Sequence, residues 1–402
     1  MGLWRDRDFR LWWTGNLTSA VGTAMTMIAL PLLVLAITGS PGQAGGVGAL
    51  EAVPYAVLSL PVGTIVDRYQ RRALLVAAAL VSAVSMASIP VTYAFGHLTI
   101  AQIYAVALVN GAAGVVTEVT QVAALPRLVA EDQLGTAAGQ AEVIYNLSAI
   151  VGPPLAGLLL VHAWPVLPFA VDALSFAIAA LSILAIRRAL SGESAGRPSS
   201  WRSDLTLGAG TVRRNRRLRA MTILTIAGDL LFAGITILMT VLVRSRGGSP
   251  EEVGTVFAMA AIGGVIGSLL ASRVERRIGV VASIVIRSWA TAVLFPLLAL
   301  DVPVLLLGVV WAAVTVSIAM MNVVQMSFLV TTIPSERLGR VQGFMTLLAY
   351  GVLPVGTLLI GGSLELFGAT HTVLLMSAVL AVLAVYSSFS RDLRTVPEPQ
   401  PL

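Results

Sequence analysis

The sequence predicts an all-α membrane protein with twelve transmembrane helices in two pseudo-symmetric six-helix bundles. Three observations support this fold class. First, 57% of the 402 residues are hydrophobic and only 11% are charged, which is too apolar for a water-soluble surface. Second, twelve apolar stretches are long enough to cross a bilayer. Third, the second half of the chain repeats residues of the first half at nearly constant spacing.

A helix needs roughly 20 mainly apolar residues to cross the hydrocarbon core of a membrane. The stretches that meet this requirement are 11–37, 45–66, 73–95, 98–123, 138–161, 165–186, 220–243, 253–272, 279–299, 303–326, 341–364 and 372–389. The first stretch is too long for the apolar core of a secretory signal, which has roughly 7 to 15 residues. We therefore expect it to be the first spanning helix.

The basic residues indicate how the chain is oriented. All 26 of them are arginine, and with a cytoplasmic N-terminus 23 would lie on the cytoplasmic side. Because arginine is enriched in cytoplasmic loops, this distribution predicts a multi-pass protein of the cell membrane with both termini in the cytoplasm. The arginines cluster between apolar segments and form no stripe on a folded domain, so we expect no nucleic-acid partner.

The chain offers little for enzymatic chemistry. It has no cysteine, its three histidines lack the spacings of zinc sites, and it contains no HExxH motif. An intramembrane enzyme would have to use carboxylates as its general base. We therefore expect no cofactor, no metal and no catalytic residue, and a protein that is not an enzyme.

One long hydrophilic segment divides the chain into three predicted parts. They are a first six-helix bundle over residues 1–187, a cytoplasmic linker over 188–218, and a second six-helix bundle with a short cytoplasmic tail over 219–402. The sequence TVRRNRRLRA, residues 211–220, allows two interpretations. It is either an amphipathic helix on the inner leaflet or a solvated arginine-rich loop.

The two halves correspond by residue number. Ser40 and Pro41 match Ser249 and Pro250 at an offset of 209, and later residues match at an offset of 204. The glycine pairs at the second offset are Gly63 with Gly267, Gly139 with Gly343, Gly152 with Gly356 and Gly157 with Gly361. A duplicated six-helix unit usually forms a substrate site between its halves near the membrane midplane.

The segment GTIVDRYQRR, residues 63–72, resembles the loop signature of the major facilitator superfamily between helices two and three. The matching residues are Gly63, Asp67, Arg68, Arg71 and Arg72, and Gln70 stands where the family usually has glycine. Asp67 can accept charge-assisted hydrogen bonds near the positive N-terminal end of another helix, such as helix eleven. This predicts a gating loop that holds the cytoplasmic side closed in one conformation. The alternative is that the arginines only set the topology.

A second resemblance lies on predicted helix five, which is similar to the antiporter motif of exporters in this superfamily. The residues are Gly139, Ser148, Gly152, Pro153 and Gly157, with the serine in place of a glycine. The alternative is ordinary packing of small residues. Exporters that exchange drugs for protons usually carry an arginine in helix four, but this chain has Ala107 there. Over nearly its whole length, the sequence most resembles the macrolide-efflux and siderophore-exporter branch of twelve-helix drug:proton antiporters.

The resemblance implies that helices one, four, seven and ten line a central cavity. At 100° per residue, each of these helices carries a polar stripe. The substrate-cavity candidates are Asn16, Ser19, Thr23, Asn110, Thr117, Gln121, Thr225, Phe232, Thr236, Trp311, Thr315, Asn322 and Gln325. Phe232 and Trp311 can stack on an aromatic or macrocyclic substrate, or can pack in the core.

Two carboxylates on these stripes are candidates for proton coupling. A charged residue at the centre of a span costs about 2.5–3.5 kcal/mol on insertion scales, so Glu118 and Asp229 each call for a partner, water or a function. Counted along their helices, they lie at similar depth and can share one aqueous cavity. The alternative is permanent bonding to polar neighbours. Glu51 and Asp172 lie outside the predicted lining helices and are interpreted as interhelical partners, with Glu51 the exception that can contact substrate.

These expectations predict a proton-coupled secondary transporter, acting as a monomer, that exports hydrophobic or amphipathic small molecules by alternating access. Drugs, macrolides, secondary metabolites and siderophores belong to this cargo class. A proton-coupled uptake carrier of the same fold is the nearest alternative. The polar stripes are thin and rich in threonine, which favours apolar cargo. An intramembrane enzyme or a receptor has less support.

Overall fold

The computed structural model describes residues 3–162, 164–190, 201–333, 335–390 and 393, and all regular structure in these residues is helical. The α-helices are α1 (Arg7–Thr38), α2 (Pro41–Arg68), α3 (Arg71–Ala94), α4 (Ile100–Leu128), α5 (Leu134–His162), α6 (Leu167–Ala185), α7 (Trp201–Arg214), α8 (Arg216–Phe232), α9 (Ile235–Ser245), α10 (Pro250–Ile278), α11 (Val280–Leu294), α12 (Val304–Thr332) and α13 (Ser335–Phe389). Short 3₁₀ helices cover Leu3–Arg5, Glu131–Gln133 and Phe295–Ala299.

These helices provide twelve spans. Within the described residues, nine helical segments are long and apolar enough to cross a membrane, and two more spans are bent, α2 by 62° after Ser59 and the α8–α9 pair by 41°. One of the nine, α13, has 55 residues and is interrupted at Gly368, where φ is 76°. At 1.5 Å per residue α13 is about 80 Å long, which is enough for two spans. The predicted fold class is therefore confirmed.

The spanning helices pack as two groups. In the first group, α1 contacts α5 and α6, and α4 contacts α2 and α3. In the second group, α12 contacts α10 and α11, and α13 contacts α8 and α11. The groups meet along two seams, where α2 packs on α13 and α5 packs on α10. The largest hydrophobic core contains residues of both groups, including Met25 and Met239.

The two seams are equivalent under the sequence repeat. In the α2–α13 seam, a side chain on Gly361 would collide with Gly45 and with the carbonyl of Pro41. In the α5–α10 seam, a side chain on Gly157 would collide with the carbonyl of Pro250. Gly361 follows Gly157 by 204 residues and Pro250 follows Pro41 by 209 residues, so the repeat places the same glycine contact in both seams.

The two ends of the bundle differ in charge and in packing. One end, the arginine-rich face, carries Arg71, Arg72 and Arg276 at helix ends, and the other end, the opposite face, carries the turns after α1, α3 and α9. The glycine seams lie toward the opposite face. Toward the arginine-rich face, Gly63 and Gly339 have open space where a side chain would stand. The glycine contacts therefore close the crevice between the groups toward the opposite face, whereas Gly63 and Gly339 make no such contact toward the arginine-rich face.

The predicted linker contains a helix. Trp201–Arg214 forms α7, which packs against the beginning of α13, because Gly208 brings its backbone against Arg340 and Phe344. Asn215 separates α7 from α8, and its side chain accepts the Leu218 amide at 3.0 Å. TVRRNRRLRA is therefore helical on both sides of one capping residue and is not a loop. Linker residues 191–200 lie outside the described residues, and the predicted boundaries at 187 and 219 stay a prediction.

Candidate functional site

Two adjoining cavities lie in the crevice between the groups. The Glu118 cavity has a volume of about 310 Å³, and its lining includes Tyr55, Ser59, Glu118, Gln342, Thr346 and Tyr350. The Glu51 cavity has a volume of about 290 Å³, and its lining includes Met27, Glu51, Tyr55, Thr236, Tyr350 and Thr357. Tyr55 and Tyr350 belong to both linings, so the cavities meet at this pair of rings.

The Tyr350 hydroxyl joins the two groups of helices. It donates a hydrogen bond of 3.0 Å to Oε1 of Glu118 on α4. The ring of Tyr350 also lies 5.2 Å from the ring of Tyr55, centroid to centroid, at an interplanar angle of 59°. Sequence reasoning missed both tyrosines, because it sought cavity residues only on predicted helices one, four, seven and ten. The four-residue spacing of Glu51 and Tyr55 is the one sequence signal that could have drawn attention to α2.

Glu51 stands in the middle of a span. It is ten residues beyond the start of α2 at Pro41, which corresponds to about 15 Å from the opposite face. Its side chain is exposed and lines the Glu51 cavity. The sequence singled out Glu51 as the exception among the non-lining carboxylates that can contact substrate, and it makes no hydrogen bond or ion pair with any described residue. It therefore has the position and the freedom of a cavity ligand.

In each group, one hydrogen bond joins two predicted lining residues. Gln121 of α4 donates to Oδ1 of Asn16 on α1 at 2.5 Å, and Thr225 of α8 donates to Oε1 of Gln325 on α12 at 2.8 Å. Asn16 and Thr225 differ by 209 in number, and Gln121 and Gln325 differ by 204. Each half therefore holds its first and fourth spans together with an equivalent polar pair, and the repeat extends to side-chain contacts.

Comparison with known proteins identifies the family to which this helical arrangement belongs. Residues 12–357 match the family model described as Major Facilitator Superfamily. The chain belongs to the major facilitator superfamily. This superfamily consists of transporters, which agrees with the expectation of a multi-pass membrane transporter that is not an enzyme.

Individual members of the superfamily resemble the chain over almost its whole length. The multidrug efflux pump Tap of Mycobacterium tuberculosis is 28% identical over 95% of this chain and 94% of its own. Macrolide efflux protein A of Streptococcus pyogenes is 22% identical over 97% of both chains. The crystal structure of the nucleoside transporter NupG superposes with a TM-score of 0.77 at 15% identity, covering 95% of this chain and 98% of NupG.

The predicted gating loop lies on the arginine-rich face, at the turn between α2 and α3. Arg71 donates to the carbonyls of Ala123 and Leu190, at 3.0 and 3.2 Å, and Arg72 donates to the carbonyl of Arg188 at 2.7 Å. These two arginines tie α3 to the ends of α4 and α6. Asp67 and Arg68 are exposed, and Asp67 has no partner among the described residues.

The glutamine that departs from the superfamily signature causes no backbone strain. Gln70 precedes the first turn of α3 with φ of −64° and ψ of 116°, which is an extended conformation open to any residue. A glycine is therefore unnecessary at this position, and the turn between α2 and α3 forms without it.

The antiporter motif lies along the seam between α5 and α10. Gly152 packs on Ala24 of α1, the carbonyl of Pro153 lies against Gly254, and Gly157 lies against Pro250. The Ser148 hydroxyl is used within α5, where it donates to the carbonyl of Tyr145 at 2.8 Å. Gly139 lies beyond the contact and has open space around it. The motif therefore permits the close approach of two helices from different groups.

Two predicted lining residues point elsewhere, and their assignment needs correction. The Asn110 amide donates to Ser85 of α3 at 2.9 Å, so its hydrogen bonds are made inside the first group. The Thr315 hydroxyl donates to the carbonyl of Ala260 on α10 at 2.7 Å. The helical-phase argument placed these residues on the correct helices but could not show which neighbouring helix each polar group would meet.

The aromatic candidates Phe232 and Trp311 also pack in the core. Their ring centroids lie 6.3 Å apart, and Phe232 lies 5.7 Å from Phe295. Trp311 is only 4% exposed. Of the two alternatives drawn from the sequence, core packing describes these rings, because Trp311 is buried and Phe232 is half-buried against the hydrophobic core.

The remaining lining candidates differ in their surroundings and exposure. Thr236 lines the Glu51 cavity. Thr23 is exposed one helical turn from Met27, another residue of that lining, and Asn322 is exposed on α12. Ser19 and Thr117 are half-buried.

The two coupling candidates differ in their surroundings. Glu118 lines its cavity and binds Tyr350, whereas Asp229 is half-buried on α8, lines neither cavity, and has no polar partner among the described residues. The expectation that they share one cavity is therefore corrected. Asp229 lies on the last full turn of α8, next to the bend that separates α8 from α9 at Ala233 and Gly234.

Asp172 is a structural carboxylate. It is fully buried on α6, where Thr26 of α1 donates to it at 2.6 Å and Ser175 donates to it at 3.1 Å. Gly22 of α1 leaves the room that this contact needs. The interpretation of Asp172 as an interhelical hydrogen-bond partner is confirmed.

Proposed function

We propose that the chain exports hydrophobic or amphipathic small molecules across the cell membrane, driven by protons, through alternating access between its two groups of helices. The observation that carries this proposal is the crevice itself. It is closed at the opposite face by the contacts of Gly45 with Gly361 and of Gly157 with Pro250, and it holds the Glu118 cavity on its open side. Because cytoplasmic segments are rich in arginine, we assign the arginine-rich face and both termini to the cytoplasm.

Two kinds of observation support the proposed direction of transport and the proposed class of cargo. The relatives that match the chain over most of its length are named as a multidrug efflux pump and a macrolide efflux protein. The Glu51 cavity has a mostly apolar lining with few polar groups, which suits drug-like molecules. The nucleoside transporter NupG shares the fold at 15% identity, so the fold alone does not decide between export and uptake.

The coupling step is assigned to Glu118, with Asp229 as the second candidate. An ionised Glu118 accepts a charge-assisted hydrogen bond from Tyr350, which connects the groups across the crevice. Protonation of Glu118 removes the negative charge and weakens this connection. Proton binding and movement of one group against the other are then linked through a single side-chain contact.

The moving parts are the predicted bundles 1–187 and 219–402, joined by the linker 188–218, in a monomer. In the alternate conformation the seams at the opposite face separate and the arginine-rich face closes. Asp67 of the gating signature then meets the N-terminal end of α13, where the helix dipole and free amides attract a carboxylate. In the present conformation Asp67 is exposed and has no partner among the described residues.

Vesicles of opposite orientation test the proposal. A proton gradient, acidic inside, should drive accumulation of a fluorescent lipophilic dye in inverted vesicles that carry the protein, and a protonophore should abolish it. Right-side-out vesicles with an inward proton gradient should show no accumulation. Gradient-driven accumulation in right-side-out vesicles alone would identify an uptake carrier, and no gradient-dependent flux in either preparation would refute proton-driven transport of this probe.

A further inference from the structure

Glu51 is a carboxylate in an apolar chamber. Apart from Glu51, Thr236, Thr357 and the two tyrosines, the lining of its cavity consists of apolar side chains, proline, alanine and glycine. No described residue donates a hydrogen bond to the Glu51 side chain. An ionisable residue inside a membrane span is costly, so it calls for a partner, water or a ligand. The part of the chain that the structure describes provides no partner.

Close packing of α4 fixes the position of this carboxylate. A side chain on Gly111 would collide with the backbone of Glu51, and a side chain on Gly114 would collide with the hydroxyl of Tyr55. These two glycines let α4 lie directly against α2. Glu51 and Tyr55 are four residues apart, and both side chains line the cavity from one face of α2.

The equivalent position in the second half has no charge. Ala260 follows Glu51 by 209 residues, and Thr315 follows Gly111 by 204 residues. The second half preserves the contact, because Thr315 donates to the carbonyl of Ala260 at 2.7 Å. α10 and α12 therefore pack as α2 and α4 do, with an alanine in place of the acid. Since the packing of these helices does not require an acid at this position, the Glu51 carboxylate is available to bind a ligand in the cavity.

We propose that Glu51 binds the positive charge of a lipophilic organic cation, with Tyr55 and Tyr350 as aromatic walls of the site. This proposal rests on the proposed export function and narrows its cargo to monovalent cations with an apolar body. The carboxylate provides the opposite charge, and aromatic rings attract cations. The apolar part of the lining covers the body of the ligand. The cavity of about 290 Å³ lies at the lower end of the roughly 300–1,000 Å³ of small-molecule sites, and it adjoins the Glu118 cavity.

Binding of radiolabelled tetraphenylphosphonium to the purified full-length protein in detergent tests this site. Neutral triphenylphosphine oxide, which resembles it in its phenyl rings but lacks the charge, serves as the matched ligand. Glu51→Gln should lower the affinity for the cation at least about tenfold, as expected for loss of a charge-assisted contact. Its affinity for the neutral ligand should stay within about twofold of the wild-type value, which also shows that the variant is folded.

Three further variants separate the effects of charge, of the aromatic wall and of general damage. Glu51→Asp keeps the charge and should retain most of the cation affinity. Glu142→Gln removes a carboxylate from an exposed position on α5, outside both cavities, and should leave both affinities unchanged. Tyr55→Leu removes one aromatic wall and should weaken binding of the cation more than binding of the neutral ligand.

Each outcome decides the proposal. Equal losses for both ligands in Glu51→Gln, or unchanged cation binding, would overturn it. If Glu51→Gln lost driven transport but bound the cation normally, Glu51 would be a proton site. That result would also overturn the proposal. Binding requires no transport, so failure of the export proposal is recognised separately. In that case the wild-type protein binds the cation through Glu51 but shows no gradient-driven flux of it in vesicles.

Discussion

The carboxylate of Glu365 on α13 caps the beginning of α2 across the α2–α13 seam. Its Oε2 accepts hydrogen bonds from the Ser40 hydroxyl at 2.8 Å and from the Gly42 amide at 3.0 Å. Helix N-termini have unpaired amides and attract negative charge, so this acidic residue acts as a cap supplied by the other group of helices. The equivalent helix α10 is capped by its own Glu252, which accepts the Ser249 amide at 2.8 Å. Among the contacts of the described residues, a carboxylate from the other group caps α2, whereas the cap of α10 comes from its own chain segment.

Glu365→Gln should favour separation of the groups at the opposite face, because the amide is a weaker acceptor than the carboxylate. The chain has no cysteine, so spin labels can be attached at Phe95→Cys and Asp301→Cys, two exposed positions on that face. The distance distribution between the labels should shift toward longer values. Because the carboxylate is exposed, the change in population should be at most several-fold.

Acidification of the wild-type protein should favour separation of the groups at the opposite face, as is expected for Glu365→Gln. Protonation of Glu365 removes the negative charge that holds the cap, so the open-seam population should rise as the pH falls through the titration of this carboxyl. Glu365→Gln should remove this part of the pH response. Glu252→Gln is the matched control, since it weakens a cap within α10 and leaves the seam intact. An equal response in both variants would contradict a latching role for Glu365.

Gly361→Val should prevent closure of the opposite face, because a side chain there would collide with the backbone of Gly45 and Pro41. The same spin-labelled pair should then report mainly the longer distance, and driven transport should be lost. Gly362→Ala is the neighbouring control, since open space surrounds that position. A shortened or unchanged distance in Gly361→Val would show that the seam adapts to a side chain.

The sequence predicted the fold because the spans and the repeat depend on local composition and spacing. Twelve apolar stretches and the offsets of 209 and 204 are visible without coordinates. The repeat also anticipated pairs of equivalent contacts, such as Asn16 with Gln121 and Thr225 with Gln325. Such contacts join helices within one half of the chain. The repeat relates the two halves, so a contact in one half has an equivalent in the other.

The candidate site was less predictable because it forms between distant parts of the chain. Tyr350 and Glu118 are separated by 232 residues, and no periodicity in a single sequence indicates that they meet. Helical phase gives the polar face of a helix but does not say which neighbour that face meets, so Asn110 and Thr315 were assigned to the cavity. The helix inside the predicted linker was anticipated only in its last residues, because a mixed polar segment fits both a loop and a packed amphipathic helix.

Thr26→Val should destabilise the first group of helices. The hydroxyl of Thr26 donates to buried Asp172 at 2.6 Å, and valine has the same shape without a donor. A buried acceptor that loses one partner costs about 1–3 kcal/mol, so the midpoint of thermal unfolding in detergent should fall. The control is Thr18→Val, at a half-buried position of the same helix. The Thr18 hydroxyl donates only to the backbone carbonyl of Thr14. Equal midpoints in the two variants would exclude a structural role for the contact.

Glu118→Gln should abolish proton-driven export and preserve counterflow, in which labelled and unlabelled substrate exchange without a gradient. The glutamine still accepts a hydrogen bond from Tyr350 but cannot take up a proton, so the step that requires protonation is removed. Asp229→Asn should be measured in the same way. If both variants retain driven export at the wild-type rate, neither carboxylate couples transport to protons.

Tyr350→Phe should slow driven export about two- to tenfold, which corresponds to loss of a hydrogen bond worth about 0.5–1.5 kcal/mol. The ring stays in both cavities, so cation binding at Glu51 should change little, whereas the link to Glu118 is lost. Tyr386→Phe lies further along the same helix, outside both cavities, and is the matched control. If Glu118 acts through Tyr350, Tyr350→Phe should cause no further loss of driven export in a Glu118→Gln background. Additive losses in the double variant would show that the two residues act independently.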